Sequence, residues 1–271
     1  MPAMTTAPRI LVFDSGLGGL TVFREVVRVR PEASYVYAAD DAFFPYGRHE
    51  EPVLLGRVLD VIGELIAAHR PDLVVIACNT ASTVALPGLR ERFKVPFVGT
   101  VPAIKPACAL SKTALVTVLG TEATVRREYT RKLVREHGNN CAVTLVGSPR
   151  LAELAEAELK GDAVSDAAIA AEIAPCFVET DGKRTDTVVL ACTHYPLLLS
   201  RLEQLAPWPV TFVDPAPAIA RRVADLLGPA GSGEAPASAQ MHFTSGMPPS
   251  QPLAGALARF GLVLAPASAA V

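Results

Sequence analysis

The most informative part of the sequence is Val-Val-Ile-Ala-Cys-Asn-Thr-Ala-Ser, residues 74–82. It follows the turn-forming segment Arg-Pro-Asp at 70–72, and its apolar run ends abruptly at Cys78. A short apolar run between turn signals, rich in β-branched residues, predicts a strand buried on both faces. Ligands of open parallel sheets bind at the carboxyl ends of such strands. The pattern therefore predicts that Cys78, Asn79 and Thr80 lie in a cleft.

The same pattern occurs again at residues 187–195, Thr-Val-Val-Leu-Ala-Cys-Thr-His-Tyr. This second strand ends in Cys192, Thr193 and His194, so two cysteines occupy matching positions of two matching strands. Before each of them, apolar strands alternate with helical periodicity, which is typical of parallel sheets with right-handed crossovers. We predict an α/β fold of two similar domains, related by a pseudo-twofold axis. Each has a mostly parallel sheet flanked by helices, and the active site lies in the cleft between them.

The prolines at 102 and 106 mark a crossing between the two halves. A late strand near 240–244 and a helix near 252–260 fit best as additions to one half, and the Ala, Gly, Ser and Pro-rich segment 229–240 is expected to be an exposed loop. The predicted domains are residues 1–99 plus 208–271 for the first and residues 100–207 for the second.

Composition excludes several classes of protein. The chain has 271 residues, half of them hydrophobic and 19% charged, with a formal net charge of −2. This balance predicts no nucleic-acid partner, and no apolar run approaches the roughly 20 residues that a membrane span needs. Because no export signal is recognisable, and because five scattered cysteines include no Cys-x-x-Cys, we expect reduced thiols, a cytoplasmic location and no metal.

Two thiols at equivalent sheet ends could serve redox chemistry, metal binding, covalent attack or proton transfer, or both could simply be buried small hydrophobes. A redox pair would favour a Cys-x-x-Cys, and a single nucleophile would leave the second cysteine unexplained. Proton transfer fits the symmetry, because inverting a carbon centre needs a base on one face and an acid on the other. Asp14 and His194 are the candidate proton partners of Cys78 and Cys192.

The first strand ends in Asp-Ser-Gly-Leu-Gly-Gly, residues 14–19, which looks like a phosphate loop. A dinucleotide fingerprint requires Gly-x-Gly-x-x-Gly, and Thr21 stands where the third glycine belongs. A tight strand-to-helix turn is an equally good interpretation, and its backbone N–H groups would suit a carboxylate as well as a phosphate.

Taken together in order, several motifs resemble the bacterial glutamate racemases. The resemblance runs from about Ile10 to Gly261. It rests on 14–22, 45–47, 77–81 and 192–198, supported by Gly120, Thr121, Thr124 and 243–246.

This resemblance implies a cofactor-independent racemase, acting on glutamate and supplying D-glutamate for peptidoglycan. Cys78 would deprotonate the D-enantiomer and Cys192 the L-enantiomer, with the opposite thiol returning a proton. The auxiliary acid–base residues it implies are Asp14, His194 and Glu156. The substrate-binding residues it implies are Asp14, Ser15, Tyr46, Gly47, Asn79, Thr80, Thr193 and His194.

The expected partners are glutamate and, in a homodimer, a second copy of the chain. Two positions depart from the family pattern, because Ser148 stands where a cysteine is usual and Arg127 where a serine is often found. Two alternatives remain open. One is a racemase of a related substrate, such as aspartate or a hydantoin, and the other is a ligand-sensing module that kept the cleft without catalysis.

Overall fold

The computed structural model describes residues 7–138, 140–229 and 239–264. Its strands form two parallel sheets and one small antiparallel hairpin. In chain order the strands are β1 (Arg9–Asp14), β2 (Ser34–Ala39), β3 (Leu73–Ile76), β4 (Phe97–Gly99), β5 (Leu115–Thr121), β6 (Ala142–Ser148), β7 (Glu179–Thr180), β8 (Lys183–Arg184), β9 (Thr187–Ala191), β10 (Thr211–Val213), β11 (Ala239–Phe243) and β12 (Leu262–Leu264).

The two sheets repeat one strand order. The first runs β12-β11-β2-β1-β3-β4 and the second runs β10-β9-β5-β6. Without β11 and β12, the first sheet reads second, first, third and fourth strand of its half. The second sheet has the same order when it is read from β6 to β10 and the hairpin β7–β8 is not counted. Every ladder within these two sheets is parallel. The predicted α/β class, with parallel sheets flanked by helices, is confirmed.

Helices connect the strands and cover both faces of the sheets. None of those in the described part of the chain has the length and apolar character needed to cross a bilayer. In chain order they are α1 (Leu20–Val29), α2 (Glu51–His69), α3 (Asn79–Arg92), α4 (Ile104–Leu110), α5 (Glu122–Arg126), α6 (Glu128–His137), α7 (Leu151–Lys160), α8 (Asp166–Ile173), α9 (Leu199–Leu205), α10 (Ala216–Leu227) and α11 (Gln251–Ala258).

Both strands that precede the cysteines are buried along their whole length, as the apolar runs predict. In β3, Leu73 and Val75 join the core cluster that includes residues of α1 and α10, whereas Val74 and Ile76 join the cluster that includes residues of α2 and α3. Successive side chains of a strand point to opposite faces, so β3 is covered by helices on both sides. This burial fixes the strand end at which Cys78 lies.

Three details differ from the sequence-based expectations or extend beyond them. With Thr121 as a plausible N-cap and Gly138 as a terminator, the sequence predicts one helix running to about His137, but the structure has α5 and α6 with an extended residue, Arg127, between them. The strand β10 falls in the range 208–271 assigned to the first domain, yet it pairs with β9 in the second sheet, whereas β11 pairs with β2 in the first. The division into domains stays a prediction. Most of the predicted loop at 229–240 lies outside the described residues.

Candidate active site

The two thiols meet at one cavity. Cys78 follows β3 and Cys192 follows β9, so each stands at the carboxyl end of the equivalent strand of its sheet. Both are almost fully buried, with 5% and 7% of their surface exposed. The space free of protein atoms between the lining residues is about 300 Å³, including the part that opens to solvent. It is lined by Ser15, Phe44, Pro45, Tyr46, Gly47, Cys78, Asn79, Thr80, Thr121, Ala152, Cys192, Thr193 and His194.

Cys78 is the N-cap residue of α3, and its sulfur accepts a hydrogen bond from the N–H of Ala81 at 3.4 Å. Its thiol also lies 3.6 Å from the Oγ of Ser15. Burial and the neighbouring charge of Asp14 raise the pKa of Cys78 to about 12, although the Ala81 and Ser15 contacts act in the opposite direction. Cys78 is therefore a protonated thiol at neutral pH, able to act as an acid.

Cys192 begins a chain of contacts that leads to the surface. Its sulfur lies 3.8 Å from Nδ1 of His194, and Nε2 of His194 lies 3.0 Å from Oε1 of Glu156. The second oxygen of Glu156 accepts a hydrogen bond from Nζ of Lys160 at 2.7 Å. The His194 and Glu156 side chains are buried, whereas that of Lys160 is 42% exposed.

The charges along this chain support one another. Burial alone would raise the pKa of Glu156, but hydrogen bonds from His194 and Lys160 and their charges lower it to about 2. Burial alone would lower the pKa of His194, but its contacts with Cys192 and Glu156 raise that pKa well above the usual value. Glu156 is therefore ionised at neutral pH, and its contacts favour the cationic form of His194.

The glycine-rich turn after β1 allows close approach between the halves. The N–H of Leu17 donates to Oε1 of Glu156 at 2.8 Å. A Cβ at Gly16 would lie 2.0 Å from that oxygen, and one at Gly18 would lie 2.4 Å from Nδ1 of His194. The sequence left two interpretations of this segment, a phosphate loop and a tight strand-to-helix turn. The tight turn accounts for both glycines, because each gives room to a side chain of the other half.

Asp14 and Glu156 do not line the cavity but lie directly behind it. Asp14 is fully buried, and its carboxylate accepts hydrogen bonds from Oγ1 of Thr193 at 3.1 Å and from the N–H of Gly16 at 3.0 Å. Burial raises its pKa despite the opposing charge of His194. Asp14 thus joins the end of β1 to the loop after β9, and its roles as acid–base and ammonium-binding residue stay predictions.

The other predicted substrate-binding residues all line the cavity. Among the described residues, neither the amide nitrogen nor the amide oxygen of the buried Asn79 side chain has a hydrogen-bond partner. The hydroxyl of Thr80 lies 3.2 Å from that of Thr124, across the two halves. The hydroxyl of Tyr46 donates to Asp40 at 2.6 Å, so this group is already engaged. Asn79 is the wall residue most clearly available to a ligand.

Four residues that line the cavity were not among the predicted site residues. Phe44 and Pro45 directly precede the predicted Tyr46 in the same loop, so the loop signal could have included them. Thr121 ends β5 as Asp14 ends β1, and the repeat could have identified it. Ala152 is a small residue on an amphipathic helix, and nothing in the sequence distinguishes it.

Comparisons with known proteins agree with this architecture. The family model for Asp/Glu/Hydantoin racemases matches residues 21–223. The glutamate racemase of Brucella anthropi is 54% identical over 235 residues, which cover 86% of this chain and 84% of that protein.

Two solved structures share the whole fold. The Escherichia coli glutamate racemase, crystallised with L-glutamate and the activator UDP-MurNAc-Ala, has a TM-score of 0.87 at 40% identity, covering 95% of this chain and 97% of that one. The RacE1 isoform from Bacillus anthracis has a TM-score of 0.80 at 26% identity, covering 98% of each chain. The chain therefore belongs to the Asp/Glu/hydantoin racemase family and, within it, to the glutamate racemases.

Proposed function

We propose that this racemase interconverts L-glutamate and D-glutamate by passing protons between the substrate Cα and two thiols, Cys78 and Cys192. The observation that carries the proposal is that both thiols, from equivalent strand ends of two similar sheets, line one cavity. Racemisation removes a proton from one face of Cα and returns one to the other. The L-glutamate in the crystal structure of the Escherichia coli relative supports glutamate as the substrate.

The L-to-D direction starts from a thiolate at Cys192 and a thiol at Cys78. Cys192 takes the Cα proton, and Cys78 donates its own proton to the opposite face, so one C–H bond breaks and another forms. The raised pKa of Cys78, about 12, keeps that proton available. After turnover the thiolate is at Cys78, and the D-to-L direction uses the pair in reverse.

The neighbours of each thiol fit these roles. His194, Glu156 and Lys160 give Cys192 a path along which a proton can be exchanged. On the other side, the N-terminus of α3 presents backbone N–H groups beside the unpartnered amide of Asn79, which suits a substrate carboxylate. Asp14 would attract the substrate ammonium. Fixed dipoles in this enclosed space would stabilise the charge that develops when Cα loses its proton.

The substrate is tested by polarimetry with L-glutamate and with L-aspartate, without added pyridoxal phosphate. We expect the rotation of the L-glutamate solution to decay to zero, and that of L-aspartate to persist. Faster decay with L-aspartate would establish the related-substrate alternative. A protein that binds glutamate but leaves both rotations unchanged would be the ligand-sensing module.

The thiol pair is tested by Cys78→Ser and Cys192→Ser, with Cys108→Ser as the control, because Cys108 does not line the cavity. Each active-site variant should lose at least about 10³-fold of kcat/KM in both directions, whereas the control stays within about twofold. In deuterated water, Cys78→Ser should still exchange the Cα hydrogen of L-glutamate, and Cys192→Ser that of D-glutamate. Racemisation by either serine variant at the wild-type rate would contradict the mechanism.

We further propose that the D-glutamate supplies peptidoglycan, and that the enzyme acts in the cytoplasm as a homodimer without nucleic-acid or membrane partners. Family resemblance supports these points. Deleting the gene should make growth depend on added D-glutamate. Light scattering should give twice the chain mass of 28.5 kDa, and a mass equal to one chain would exclude the dimer.

A further inference from the structure

At the break between α5 and α6, the side chain of Arg127 is buried in the protein. Arg127 is extended, with φ −70° and ψ 141°, and it separates two helices where the sequence predicts one. Its side chain is only 11% exposed, whereas that of its neighbour Arg126 is 74% exposed and pairs with Glu122 on the surface. A guanidinium is rarely this buried unless it has partners.

The partners of Arg127 belong to the other half of the molecule. One terminal nitrogen donates to the backbone oxygen of Thr80 at 2.8 Å and to the hydroxyl of Thr83 at 2.6 Å. The carboxylate of Glu51 lies further away, at 3.9 Å. Because Thr80 and Thr83 belong to the first part of α3, the guanidinium holds the turn whose N-cap is Cys78.

The charge of Arg127 also interacts electrostatically with Cys78. Burial lowers the pKa of Arg127, while Glu51 and Cys78 act in the opposite direction. Asp14 at the end of β1 and Cys192 after β9 also act on Cys78, and so do the buried phenols of Tyr37 and Tyr46. Arg127 is thus a cation that acts on the Cys78 half-site. Its position depends on the break between α5 and α6.

We propose that Arg127 is a positioning residue for the Cys78 half-site: it ties the first turns of α3 to the second half of the molecule and thereby fixes the thiol and Asn79 at the cavity wall. The inference rests on the proposed two-thiol function. It assigns to Arg127 no contact with the substrate. Its effect passes through α3, by way of the hydrogen bonds to Thr80 and Thr83.

Isotope effects distinguish this role from a general structural one. In the D-to-L direction Cys78 breaks the Cα–H bond, whereas in the L-to-D direction it acts only after Cys192 has done so. If Cys78 is displaced, its step limits the rate more strongly in both directions. The primary isotope effect on kcat/KM should therefore rise with D-[2-²H]glutamate and fall with L-[2-²H]glutamate.

The experiment compares Arg127→Gln and Arg127→Lys with Arg126→Gln, the exposed neighbour, in the full chain. We expect Arg127→Gln to lose at least about tenfold of kcat/KM in both directions, with the opposed isotope effects described above. Arg127→Lys keeps the charge and one donor, so it should recover part of the loss. Arg126→Gln should stay within about twofold of wild type.

Unchanged isotope effects in Arg127→Gln, or an activity equal to that of Arg126→Gln, would overturn the inference. If Arg127→Gln fails to fold, Arg127→Lys carries the same isotope test, with a smaller shift in the same directions. Failure of the two-thiol function itself would be visible separately, since Cys78→Ser would then remain active whatever happens at Arg127.

Discussion

The two half-sites have the same scaffold and different surroundings. Cys78 and Cys192 each follow a buried strand at the equivalent place of two sheets with the same order. Around Cys78 the polar contacts are an N–H group and a hydroxyl, and burial with the charge of Asp14 holds the thiol protonated. Cys192 instead contacts an imidazole that is backed by a carboxylate and a partly exposed lysine.

A repeated fold thus places two reactive groups symmetrically without making them chemically equal. Because L- and D-glutamate have equal free energies, kcat/KM must be the same in both directions whatever the environments of the thiols. The chemical difference between the two half-sites should therefore appear in kcat, in the isotope effects and in the pH dependence of the rate. The following changes perturb the Cys192 side and should mirror the isotope pattern expected for Arg127.

The largest effect is expected from Gly18→Ala. The added Cβ would meet the buried ring and backbone of His194 at 2.4–2.5 Å, so the imidazole or the turn must move. Displacing a catalytic group by about 1 Å can cost about 10²-fold, and we expect a loss of that order in kcat/KM. Gly56→Ala in α2 is the control, because its Cβ would meet nothing within 4 Å. An activity of Gly18→Ala within about twofold of that control would show that His194 needs no fixed position.

A smaller loss, about 10- to 100-fold in kcat, is expected from Glu156→Gln. The neutral amide no longer supports the imidazolium, so the pKa of His194 falls and its charge is lost at lower pH than in the wild type. The alkaline limb of the pH–rate profile should move to lower pH. The isotope effect should rise with L-[2-²H]glutamate and fall with D-[2-²H]glutamate, opposite to Arg127→Gln.

Glu158→Gln, on the same helix but paired with Arg201, is the matched control for Glu156→Gln. It should leave both the pH profile and the isotope effects unchanged. If Glu156→Gln and Glu158→Gln behave alike, Glu156 does not contribute to the difference between the two half-sites.

The strand pattern was largely predictable because each buried strand is a short apolar run between turn signals. The position of β10 was predictable in principle as well, since the first half has a fourth strand, β4, and the repeat calls for a counterpart. The break at Arg127 was not predictable. No proline or glycine marks it, and helical periodicity continues across it, so tertiary contacts with α3 override the local preference.

In the site, the sequence identified the reactive groups but not all of the contacts that hold them in place. The cysteines and the polar residues behind them follow recognisable strands, but the contact of His194 with Glu156 and that of Arg127 with Thr80 depend on the docking of separate elements. The glycines at 16 and 18 were visible as a turn. Their reason, the close approach of Glu156 and His194, lies in residues far away along the chain.

The smallest effect is expected from Lys160→Met, because Glu156 stays ionised at neutral pH through His194. The pKa of Glu156 is about 2, against an ordinary value of 4.5, which corresponds to roughly 3 kcal/mol of stability above pH 4.5 that is lost as the pH falls toward 2. Without Lys160 this pKa rises, so acid unfolding should begin at higher pH, while kcat at pH 8 changes less than about threefold. Circular dichroism between pH 6 and 2 measures the transition. The control is Lys132→Met, which removes another helical lysine–glutamate pair on the surface. It should leave the acid transition at the wild-type pH. Equal shifts of the transition in both variants would exclude a specific contribution from Lys160.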